Sequence, residues 1–117
     1  MKKRKCVLMF HDVYQSDPFE SGFPRPSSNS FKVPRPDFIR FIDALILKAN
    51  KISIPLSDII LTFDDGGGSF LWIARELSKR GLVGHFFIST GYIGTEGFCS
   101  KDDLKEIDSL GHVIGSH

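Results

Sequence analysis

The sequence predicts an α/β domain built on a parallel sheet. Two observations carry this: short, near-continuous apolar runs alternate with amphipathic segments of helical period, and polar residues gather where each apolar run ends. The 117 residues suffice for one small domain with a real core. Hydrophobic residues at 41% and charged residues at 25% are ordinary for a globular chain, and eleven Phe make that core aromatic. Fifteen basic against fourteen acidic residues leave a net charge of +1, so no nucleic-acid partner is expected.

The elements follow in order. Lys5–Phe10, KCVLMF, reads as a first strand, preceded by a solvated MKKRK. Five apolar residues before His11-Asp12 are too few for a signal peptide, and no run reaches transmembrane length. A cytoplasmic protein without membrane contacts is expected. Tyr14–Pro36 holds five of the six prolines and reads as a long loop. Phe38, Phe41, Ile42, Leu45 and Ile46 share one face of a helix over 37–50. Asp58–Phe63 is the second strand. Ser69 is expected to cap a helix that buries Phe70, Ile73, Ala74 and Leu77 and stops at Gly81. Val83–Ser89 is the third strand. Ser100 and Asp103 form a capping box for a helix carrying Leu104, Ile107 and Leu110, ended by Gly111 before a fourth strand at His112–Gly115. The strands are expected to be covered on both faces. A doubly wound sheet and a (β/α) barrel both fit β-α-β-α-β-α-β. Cys6 and Cys99 match no metal or redox spacing and read as ordinary thiols, with Cys6 buried.

The strand ends bring His11-Asp12, Asp64-Asp65, Ser89-Thr90 and Ser116-His117 towards one rim, the side on which parallel α/β folds place their sites. Within LTFDDGGG, neighbouring strand residues point to opposite faces, so Asp64 and Asp65 can share a site only if the chain turns there. Gly66-Gly67-Gly68 permit that turn. Two close carboxylates repel unless a cation relieves them. A divalent metal with a His ligand fits, one aspartate binding it and the other acting as base. Other readings remain: an Asx-turn that helps to cap the next helix, or a glycine-rich phosphate cradle in a nucleotide- or phosphosugar-binding protein. His11-Asp12 follows a strand, unlike the helix-borne histidines of HD phosphohydrolases. His85 and His112 sit at strand starts and read as structural.

LTFDDGGG resembles the T-F-D-D-G motif of the polysaccharide deacetylases of NodB type, and GHVIGSH resembles the approach to their second motif, H-[ST]-x-x-H, with His117 as its first histidine. GHFFIST, DLKEIDSLGHVIGSH and VLMFHDV are similar to the intervening and first strands. The resemblance implies the N-terminal portion of a distorted (β/α) barrel of about seven strands. It implies Asp64 as catalytic base and Asp65 and His117 as ligands of a divalent metal, zinc in the family pattern. His11, by its place at the rim, reads either as a substrate contact or as a histidine hydrogen-bonded within its loop. The metal polarises the acetamide carbonyl and activates water, so the implied substrate is an N-acetylated amino-sugar polymer or oligosaccharide. The second histidine of that motif, the later motifs and the remaining strands are not in the sequence. The expectation is therefore a single domain at 1–117, cut short and inactive alone, completed by a missing C-terminal half or a partner chain. A non-catalytic glycan-binding remnant is the further alternative.

Overall fold

The computed structural model describes residues 6–117, so the basic start and the Lys5 end of the first strand lie outside the described residues. In chain order the elements are β1 (Cys6–Phe10), β2 (Val13–Tyr14), α1 (Pro26–Asn29), β3 (Val33–Pro34), α2 (Arg35–Lys51), β4 (Ile59–Phe63), α3 (Phe70–Lys79), β5 (Gly84–Ile88), α4 (Lys101–Ser109) and β6 (Val113–Ser116). The strands β1-β4-β5-β6 form one parallel sheet in that order. Each new strand is added at the same edge, which is the winding of a (β/α) barrel rather than the reversal of a doubly wound sheet. The choice that the sequence left open is thereby made.

The residues expected to form a loop carry short structure instead. A turn at Pro18–Glu20 has its own capping box, with Asp17 accepting from Phe19 N and Glu20 reaching back to the turn's start. Val13 and Tyr14 pair with Val33 and Pro34 as a two-rung parallel ribbon. α2 starts two residues earlier than the hydrophobic period suggests, because Pro36 fits the first turn, where no N–H is needed. Phe38 and Ile42 are buried on it, but Phe41 lies at the border and is 44% exposed.

Register explains the aromatic core. Phe10 pairs with Phe63, and Phe63 with Phe86, so three rings stand in one rung across β1, β4 and β5. They stack at 5.5 Å and 4.9 Å with interplanar angles of 18° and 15°. Phe38 of α2 and Phe70 of α3 meet Phe63 edge-on at 6.2 and 6.1 Å. Such offset and edge geometries add to the burial itself. Phe70, Ile73, Ala74 and Leu77 are all fully buried, as their spacing predicted.

The same contacts correct one expectation. The helices cover one face of the sheet only. On the other face Val7 and Met9 of β1 are 62% and 66% exposed, and Val113 of β6 is 47% exposed. Cys6 is likewise only half-buried, at the start of an edge strand. Continuous apolar runs therefore did not mean cover on both faces here; in a singly wound sheet the second face looks towards the barrel axis.

His112 stands just before β6 and is buried. Its Nδ1 accepts from Gly84 N at 2.9 Å, and its Nε2 donates to Ala74 O at 2.8 Å, joining β5, β6 and α3. That pairing requires the neutral ring, and burial pushes its pKa down. A lowered folded-state pKa means stability that is present above about pH 6.5 and lost as the pH falls. His112→Ala leaves a buried N–H and a buried C=O unpaired. It is expected to lower the unfolding free energy by about 1–3 kcal/mol, read in urea titrations at pH 7, and to remove part of the wild-type loss of stability below pH 6.

Candidate active site at the carboxyl rim

Three hydrogen bonds just beyond the strands tie the four carboxyl ends into a row. Asp64 N donates to Phe10 O at 3.0 Å, Ser89 N to Asp65 O at 3.2 Å and His117 N to Ile88 O at 2.9 Å. Each residue after a strand is thus held by the strand beside it. The strand ends meet along one edge as expected, with an exception at Asp12.

Asp64 and Asp65 are both half-buried. The turn between them begins earlier than the glycines suggest. Asp65 itself has φ +88°, followed by Gly66 at +88°. Positive φ is costly for a residue with a Cβ, by about 1–3 kcal/mol, although aspartate tolerates it better than most. The reversal takes Asp65 out of the strand's alternation. Asp65 Oδ1 stands 3.4 Å from His117 Nε2. Gly67 serves close approach rather than the turn. A Cβ there would lie 1.9 Å from Asp12 Oδ1, so only glycine lets the loop pass the carboxylate.

Asp12 turns inward rather than towards the rim and is 1% exposed. Its Oδ1 accepts from Ser21 Oγ and Ser69 Oγ, both at 2.7 Å. Ser21 Oγ in turn accepts from Ser69 N, and Ser69 Oγ from Val13 N. Ser69 therefore does not cap α3 with its side chain, as the sequence suggested; its hydroxyl is committed to Asp12. Lys32 lies beneath, its Nζ donating to the carbonyls of Pro18, Ser21 and Phe23 at 2.7, 2.6 and 3.0 Å. Burial raises the Asp12 pKa, against the pull of the two serines and Lys32. Burial likewise lowers that of Lys32, against the attraction of Asp12. Sequence reasoning missed this cluster because serines and a lysine scattered over 21–69 show no spacing. The single available signal was Asp12 lying between a strand and Val13.

The glycine loop is also tied to the segment after β5. Gly68 N and Gly22 N both donate to Gly97 O, Cys99 N donates to Gly66 O, and Gly67 bridges Phe98. Cys99 is fully buried, its Sγ donating to Gly67 O at 3.2 Å. Burial pushes its thiol pKa up to about 12, so it is an inert structural group, as expected from sequence. These bonds bear on the phosphate-cradle reading. The amides of Gly68, Ser69 and Phe70 already donate to Gly97 O, Ser21 Oγ and Gly67 O, which leaves them committed at the start of α3.

His11 follows β1 and is half-buried, with the exposed Phe31 ring 5.1 Å from its own. Thr90 is exposed and opens a short turn, Thr90–Tyr92. The metal expectation can be tested against Asp65 and His117. Zinc holds oxygen and nitrogen ligands at about 2.0–2.2 Å, so two corners of its tetrahedron lie about 3.3–3.5 Å apart. The observed 3.4 Å matches that edge. Among the described residues no group of three His, Cys, Asp or Glu is gathered, so the pair fits a metal as an incomplete set.

A parallel, singly wound sheet with two aspartates and a histidine at its carboxyl rim places these side chains where (β/α) barrels build their sites. The polysaccharide deacetylase family model matches residues 53–117, more than half of the sequence, and the chain belongs to that family. Among solved structures it is similar to IcaB from Ammonifex degensii, with 22% identity and a TM-score of 0.64. That alignment covers 97% of this chain and 55% of IcaB, so the chain spans about half the length of that structure. The likeness is one of fold. No curated protein matches the chain. Among the described residues no helix is long and apolar enough to cross a membrane.

Asp12→Ala strips the acceptor from two buried hydroxyls and the counter-charge from Lys32. It is expected to lose about 2–4 kcal/mol of stability at pH 7. The raised pKa gives stability present below about pH 3.9 and lost as the pH rises through the folded value. The stability of wild type relative to Asp12→Asn should therefore decline with rising pH, measured by denaturant unfolding from pH 4 to 7.

Proposed function

We propose that the chain carries part of the active site of a metal-dependent hydrolase that removes N-acetyl groups from an amino-sugar polymer or oligosaccharide. The observation that carries this reading is the placement of Asp65 Oδ1 and His117 Nε2 3.4 Å apart beside Asp64, in a member of the polysaccharide deacetylase family. Asp65 and His117 would hold the divalent metal, zinc by preference, given one carboxylate and one imidazole. When bound, the ion supplies Lewis-acid polarisation of the acetamide carbonyl. Asp64 is the base. It accepts a proton from the attacking water, the leaving nitrogen takes up a proton from solvent as the C–N bond breaks, and acetate and a free sugar amine are released. The bond between Asp64 N and Phe10 O fixes the backbone that carries this base. His11, flanked by Phe31, contacts the substrate.

Two protein ligands hold zinc weakly, since catalytic sites use three. This reading calls for a further ligand outside residues 6–117, on a continuation of the chain or on a partner chain.

The test is acetate release from an N-acetylated chito-oligosaccharide by the zinc-loaded protein isolated from its own cells. Asp64→Asn is expected to slow it by about 10²–10⁴-fold, and Asp65→Ala to weaken zinc binding in a competition titration. The 117-residue chain alone is expected to release little or no acetate. If the isolated protein releases none, while glycan binding persists without metal and survives Asp64→Asn, the catalytic reading fails and a glycan-binding module replaces it.

A further inference from the structure

Beside the rim lies an aromatic surface that the chemistry above does not use. Phe23, Tyr92 and Phe98 form a closed triangle of rings, with centroids 4.9, 5.0 and 4.9 Å apart. Tyr92 and Phe98 stack at 29°, and Phe23 meets both edge-on. The Arg25 guanidinium sits 5.7 Å from the Phe23 centroid. Together with Glu96 these residues line an open cavity of about 510 Å³. Tyr92 is the most open of the three rings, at 43% exposure.

Three features select the occupant. First, the surface is tied through the backbone to the loop that carries the site. Tyr92 lies four residues beyond the end of β5, on the carboxyl side of the sheet. Phe98 bridges Gly67, Gly97 O holds Gly68, and Cys99 N holds Gly66 O, so the patch is bonded to the loop that carries Asp64 and Asp65. Second, its size falls within the range of small-ligand sites, which are aromatic-lined with a few polar groups. Third, its chemistry is two-sided: ring faces bear negative charge density, whereas Arg25 offers donors and Glu96 acceptors at the margin. A pyranose ring has the matching form. One face presents C–H groups with partial positive charge, and the perimeter presents hydroxyls.

We propose that Tyr92, supported by Phe23 and Phe98, is a stacking platform for a sugar ring of the polymer, at a subsite outside the one where the acetamide is cleaved. This rests on the deacetylase reading for its choice of ligand. The platform binds a neighbouring residue of the chain through ring contact, and Arg25 and Glu96 hydrogen-bond its hydroxyls. The rings are mutually packed and so lose little freedom on binding.

The experiment is calorimetric titration of the metal-free protein with chitopentaose, for wild type, Tyr92→Leu and Tyr92→Phe. Leucine keeps the apolar packing on Phe98 but removes the ring face; thermal unfolding confirms that each variant folds. Tyr92→Leu is expected to weaken binding by roughly three- to tenfold, with Tyr92→Phe close to wild type. Equal affinity in wild type and Tyr92→Leu overturns the platform and leaves the deacetylase reading standing. Failure of wild type to bind chitopentaose also overturns it, whatever the acetate assay reports. Conversely, ring-dependent binding supports the platform even if the zinc-loaded protein isolated from its own cells releases no acetate, a result that removes the catalytic reading.

Discussion

The rim is organised around one buried carboxylate. Asp12 lies immediately after β1, and two hydroxyls, Ser21 and Ser69, converge on its Oδ1. Through them it fixes the start of α3, the end of the Pro18–Glu20 turn and the N–H of Val13. Lys32 gathers three carbonyls of the same loop below it. An ionisable group at this depth is an expensive way to hold loops together. Its return is geometric: three segments far apart in sequence receive a common reference point, and the glycine loop must pass against it.

A second constraint comes from the sheet. The rung Phe10–Phe63–Phe86 sits one step before His11 and Asp64. Stacked rings in register set how far each strand runs before its polar end begins. The cross-strand bonds from Asp64 N, Ser89 N and His117 N extend that order one residue further. Rigid packing directly below a site is what allows a carboxylate and an imidazole from strands two apart to meet at 3.4 Å.

Much of this was legible in the sequence. Period and punctuation located the four main strands, the three longer helices and the capping box of α4, because each is set by neighbours within a few residues. The polar strand ends pointed to the rim for the same reason. Other features depend on contacts distant in sequence. Ser69 carries every local mark of a helix cap, yet a buried partner 57 residues away claims its hydroxyl. The apolar runs of β1 looked fully covered, but cover depends on which way the chain winds, and no single strand encodes that. The turn at Asp65 was assigned to the glycines after it, since a non-glycine residue at positive φ is a poor guess from composition. The proposed roles of Asp64, Asp65 and His117 rest on family resemblance, and that of His11 on its place at the end of β1.

The backbone at Asp65 also bears on how this protein could be improved. Glycine would relax that position, so selection for thermal resistance alone would favour discarding the aspartate. Selection for a working site would favour keeping it. Asp65 is therefore a residue at which consensus-style stabilisation and retention of activity pull in opposite directions, and a library screened only for heat tolerance would tend to erode the site while the fold gained.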